Sequence, residues 1–313
     1  MAADVYRLSK TRSYSALSFK QKRSLRMRRQ KMTDRASSRP SLVRATVLFM
    51  GASIFAYLFA VTVHEFAHYL VAIILGVPEK GIVLHPFDLS YNRYAGDLSR
   101  ALGTPLRRAF SGVSGPLLNM LLGVIVSLLL WRKRSSRWIP ILMWGSIALI
   151  QESVNMIGGI MDYPDIISDW VYVMLAGVSP LIVGLLAVVI LITGCIWMLL
   201  LLPLAGVRPE DAFWKKLLII LSGIPMLLLG AVVYVSLLGS STISPASLVL
   251  QRRITALVAS LILLVGIAAL HKPLFPILDR ISHSQPAQLS WRDTLPAVGL
   301  GVTIFVLQLV FFN

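Results

Sequence analysis

"ATVLFMGASIFAYLFAVTVHEFAHYLVAIILG" (residues 45–76) is an apolar run of 32 residues that carries two histidines and a glutamate, His64, Glu65 and His68. About 20 apolar residues cross a bilayer as a helix. At 1.5 Å per residue this run reaches about 48 Å, so it tilts, protrudes or begins before the bilayer. An ionisable side chain at bilayer depth costs several kcal/mol, and such residues usually serve a function there. The fold and the chemistry therefore both turn on this one segment.

The remainder of the chain agrees with a membrane reading. Of 313 residues, 56% are apolar and only 14% charged, against about 45–50% and 25% in soluble domains. Further apolar segments fall at 105–131, 138–158, 181–205, 216–238, 254–270 and 296–312. The expected fold is an all-α polytopic membrane protein with six or seven transmembrane helices. In "HPFDLSYNRY" (85–94), Phe87, Leu89 and Tyr91 alternate with polar residues, which is strand periodicity. A short β-element is therefore expected after the first span. The single cysteine, Cys195, lies in an apolar run and reads as a small buried hydrophobe, which excludes internal disulfides and a Cys-based metal site.

Charge divides the chain further. Residues 1–44 hold 13 of the 30 Lys and Arg and 2 of the 14 Asp and Glu, or +11 of the net +16. Residues 1–41 read as a disordered basic tail: a solvated positive-inside anchor, a contact for anionic lipid or nucleic acid, or an Arg/Ser-rich transit peptide. No short apolar core follows Met1, so no signal peptide is expected, and no specific nucleic acid partner is either. The basic connections "RKRSSR" (132–137) and "RPEDAFWKK" (208–216) place the N-terminus in the cytosol. Segment 159–180, with Asp162, Asp165 and Asp169 and no Lys or Arg, then lies outside as a connection. The setting expected is the plasma membrane of a prokaryote, an organelle membrane being the other possibility.

On a helix, positions i and i+4 share one face about 6 Å apart along the axis, so His64 and His68 reach one metal ion. Neutral imidazole is a common zinc ligand. Glu65, beside the first ligand, is placed to hold a water at the metal and take its proton. This is the H-E-x-x-H pattern of zinc metallopeptidases. With five His in the chain, chance supplies roughly 0.001 such matches. Haem ligation needs histidines on facing helices, whereas these two are stacked on one. His85, His271 and His283 fall in predicted loops and read as surface residues. Glu152, in "LIQESVN" (149–155), is another acid inside a span. It reads either as a hydrogen-bond partner of a metal-ligand imidazole or as a protonated structural group.

With this setting, the motif resembles the site-2 protease family of intramembrane zinc metalloproteases. "SGPLLN" (114–119) is similar to that family's S/A-G-P-x-x-N signature, with Gly115, Pro116 and Asn119 in place. The resemblance implies that these three contribute to substrate binding. It also implies a third zinc ligand, an aspartate some 90–100 residues past the motif, after an asparagine. "NMIGGIMDYPDIISDW" (155–170) supplies Asn155, but Gly158 stands where the family usually has proline, and no D-G follows. Asp169 is the candidate preferred, because "SDWVYVMLAGVSP" (168–180) opens the next apolar segment, with Asp162 and Asp165 behind it. The strong part of the resemblance covers residues 45–170; the expected core is 42–206, with 207–313 as additional helices, and the resemblance implies strand-wise presentation of a membrane-anchored protein substrate. It also implies zinc nearer the cytosolic side, opposite to the placement that the charges suggest. A zinc-binding transporter or sensor is the competing class, although the later spans hold almost no ionisable groups for it. A catalytically dead scaffold is another, against which Glu65 stands.

Overall fold

A computed structural model describes residues 42–84, 91–94, 98–133, 135–164, 169–207, 211–223, 258, 265, 266, 269 and 289–311. The basic tail, the expected span at 254–270 save four isolated residues, and most of the span at 216–238 lie outside these residues. So do Phe87, Leu89, His85, His271, His283 and Asp165.

Among the described residues, the order is α1 (Leu42–Ile74), β1 (Glu79–Val83), β2 (Tyr91–Tyr94), α2 (Leu98–Leu102), α3 (Pro105–Trp131), α4 (Ile139–Asp162), α5 (Asp169–Leu175), α6 (Pro180–Leu201), α7 (Phe213–Ser222) and α8 (Trp291–Phe311). Five of these helices are long and apolar enough to cross a membrane: α1, α3, α4, α6 and α8. The fold is an all-α polytopic membrane fold with one small hairpin. The other two expected segments, 216–238 and 254–270, fall mainly outside the described residues, so the five are a count of the described residues alone. Segment 159–180, between the expected spans 138–158 and 181–205, holds the end of α4 and the short helix α5.

Local chemistry sets the helix ends. Thr104 accepts the Arg107 amide and Pro105 occupies the first turn of α3, while Ser179 and Pro180 do the same for α6. α1 stops at Gly76, whose φ of 71° lets the Val77 amide reach back to the Ala72 carbonyl at 2.9 Å.

α4 is the most buried of the five spans and packs against α1, α3 and α6. Its Ile139, Leu142, Met143 and Ile147 join Leu48 and Phe49 of α1 and Met198 and Leu199 of α6 in the main core, which also takes in Cys195. Small residues bring α3 and α4 together: a Cβ on Gly145 would meet the Ser127 hydroxyl and lie 2.8 Å from the Gly123 carbonyl. α8 lies along α1, where a Cβ on Gly51 would sit 2.9 Å from the Val298 backbone. Gln308 of α8, almost fully buried, donates to the Leu58 carbonyl at 3.0 Å and to the Thr62 hydroxyl at 3.1 Å. Outward-facing Leu128, Leu129, Leu181, Leu185, Val306 and Val310 are exposed, as lipid-facing positions are.

β1 and β2 pair antiparallel with Val83 opposite Tyr91 and Ile82 opposite Asn92. The register slips between Glu79 and Gly81, where Gly81 takes a φ of 124°. The expected β-element after the first span is thus a pair of strands, β1 just before the quoted stretch 85–94 and β2 forming its last four residues. It packs against α1.

Candidate metal centre

His64 and His68 stack one turn apart on α1, both buried, with ring centroids 4.7 Å apart. α5 begins at Asp169 and brings its half-buried carboxylate to them. Asp169 Oδ2 lies 3.1 Å from His64 Nε2 and 3.3 Å from His68 Nε2, and the two Nε2 atoms are 3.1 Å apart. Among the described side chains, Asp169 is the aspartate brought to the histidines. Asp162 closes α4, and Asp165 is outside the described residues.

The outer nitrogens fix the tautomers. His68 Nδ1 lies 2.8 Å from the Ser111 carbonyl, and His64 Nδ1 lies 2.8 Å from Glu152 Oε1. Ser114 Oγ, 3.2 Å from His68 Nδ1, gives its own proton to the Ser111 carbonyl at 2.7 Å. Each Nδ1 therefore faces acceptors and carries the proton, which turns both Nε2 lone pairs inward. Two imidazole nitrogens and a carboxylate oxygen then converge as three acceptors. A proton satisfies one pair of them, whereas a divalent cation satisfies all three. The donors of a tetrahedral zinc site with bonds of about 2.0–2.2 Å lie about 3.3–3.6 Å apart, a little wider than the three separations here. The donor set thus fits a metal ion with one position left open.

α3 leaves room for this arrangement at Gly115. A Cβ there would overlap His68 Nε2 and lie 2.8 Å from His68 Cδ2 and 2.9 Å from His64 Cδ2. Gly112, one turn earlier, packs on the Asp169 backbone. Pro116, inside α3, is buried and interrupts the helix hydrogen bonds at this level. Asn119 is fully buried. It donates to Glu152 Oε1 at 3.1 Å and accepts from Trp144 Nε1 at 3.0 Å. Its amide is thus turned into the protein rather than toward an incoming chain. Of the two readings for Glu152, the geometry selects the imidazole partner.

Glu65 is half-buried, and its carboxylate accepts from Asn92 Nδ2 at 2.9 Å. The same Asn92 nitrogen donates to the Glu65 backbone carbonyl at 3.1 Å. Strand β2 is therefore tied to the motif helix. Asn92, Ser111 and Trp144 are site residues that sequence reasoning did not single out. Asn92 had a trace, a polar position in the alternating stretch, while the other two had none. No protein-family model matches the chain, and no curated protein or solved structure matches it either.

Proposed function

We propose that this chain is an intramembrane zinc metalloendopeptidase of the site-2 protease kind. It would hydrolyse peptide bonds of membrane-anchored proteins within or near their transmembrane segment. The observation that carries the proposal is the inward-facing triangle of His64, His68 and Asp169, with a carboxylate, Glu65, next to it on a bilayer-crossing helix. Two histidines and one carboxylate also suit iron(II). The added carboxylate of Glu65, adjacent to a ligand, favours zinc and hydrolysis.

His64, His68 and Asp169 would hold the metal, which when bound supplies a Lewis acid for the scissile carbonyl and makes water more acidic. Glu65 accepts the proton of the attacking water as its oxygen bonds to the carbonyl carbon. Glu65 then delivers that proton to the amide nitrogen as the C–N bond breaks. Asn92 holds the Glu65 carboxylate in place for both transfers. A transmembrane substrate hides its carbonyls in its own helix and must unwind locally. The β1–β2 hairpin beside α1 offers an edge on which the unwound segment adds as a strand.

The test uses full-length protein in liposomes with a panel of single-span substrates. Cleavage is expected to stop on chelation and to return on adding zinc, with products cut within or near the span by mass spectrometry. Cleavage unaffected by chelation removes the proposal. Stoichiometric metal without cleavage of any panel member moves the transporter, sensor or scaffold reading ahead.

A further inference from the structure

A buried chain of hydrogen bonds runs from α4 through α3 and back to a metal-ligand histidine on α1. Trp144 Nε1 donates to Asn119 Oδ1 at 3.0 Å. Asn119 Nδ2 donates to Glu152 Oε1 at 3.1 Å, and the same oxygen accepts His64 Nδ1 at 2.8 Å. Asn155 Nδ2 donates to the other oxygen, Glu152 Oε2, at 3.2 Å. Trp144, Asn119 and Glu152 are all buried, the last two completely.

Each direction in this chain is forced. An indole N–H only donates, so it makes Asn119 present its carbonyl to Trp144 and its amino group to Glu152. The carboxylate, receiving donors on both oxygens, is fixed in rotation. It then faces His64 as an acceptor, which keeps the proton on Nδ1 and the lone pair of Nε2 toward Asp169 and His68.

We propose that Trp144, Asn119 and Asn155 are positioning residues that hold Glu152 against His64 and so set the metal affinity of the site. Asn119, whose counterpart in the resembling signature reads as a substrate contact, here acts through Glu152. The proposal rests on the metal of the preceding reading and not on its proteolysis.

The test titrates zinc-loaded full-length protein in detergent with a competing chelator. The unfolding temperature of the metal-free form is recorded beside it. Partners of this kind typically alter metal affinity about ten- to a hundred-fold, and Glu152→Gln is expected in that range. Asn119→Ala and the shape-conserving Trp144→Phe are each expected to weaken zinc several-fold. Because Trp144 acts through Asn119, the double variant is expected to be no weaker than Asn119→Ala alone. In cobalt-loaded protein, Trp144→Phe is expected to shift the visible bands although Trp144 does not touch the metal.

Unchanged zinc affinity in Asn119→Ala and Trp144→Phe overturns the proposal even if their unfolding temperatures fall, as does additivity in the double variant. Should Glu152→Gln fail to fold, those two variants decide the matter. Variants that lose zinc affinity beside a wild type that cleaves nothing uphold the relay and remove the protease reading. A wild type without zinc removes both.

Discussion

Gly115 shows how narrowly the site is built. One added methyl there would overlap the ring of His68 and crowd that of His64. Gly115→Ala is therefore expected to displace the imidazoles and abolish stoichiometric zinc, at a stability cost of about 1–3 kcal/mol from overpacking. Metal analysis and thermal unfolding of the purified variant check both. At this scale, legibility follows sequence distance. His64, Glu65 and His68 are readable because one turn of one helix sets their geometry. Asp169 needs a family resemblance to be preferred over Asp162 and Asp165, because it lies 105 residues from His64. Ser111 contributes a backbone carbonyl, which no side-chain pattern reveals.

The hairpin matters among the elements because Asn92 joins it to the motif helix at both the backbone and the carboxylate of Glu65. Asn92→Ala is expected to leave zinc content and KM nearly unchanged and to lower kcat about tenfold. That is the signature of a group acting on the transition state, read from initial rates against substrate concentration. Helix α3 is legible, since the apolar run 105–131 coincides with Pro105–Trp131. α5 is not: with seven residues in a connection, it offers no periodicity long enough to read. The alternating stretch marks β2, but β1 lies before it, because Gly81 and its neighbours pair through the backbone without an alternating pattern.

For the whole molecule, the apolar composition makes the membrane fold legible, while the packing order of the helices is not. The C-terminal helix α8 comes from the part expected to be additional, yet it runs along the motif helix itself. Gly51 and Gly301 allow the approach: a Cβ on Gly301 would lie 2.9 Å from the Gly51 carbonyl. Gly301→Val is expected to push α8 off α1 and destabilise the fold by about 1–3 kcal/mol, measured by thermal unfolding in detergent. On the proposed reading, bound zinc would link the site to global stability by mass action. At a free concentration 100 times its Kd, it is expected to stabilise the protein by about 2.7 kcal/mol, and a chelator is expected to remove that increment.

The most direct measurement compares wild type with Glu65→Gln in one preparation, counting zinc and following cleavage of a single-span substrate in liposomes. Wild type and variant are each predicted to hold about one zinc per chain, and only wild type is predicted to cut. A variant that cuts as fast as wild type, or a wild type that holds no metal, contradicts the account.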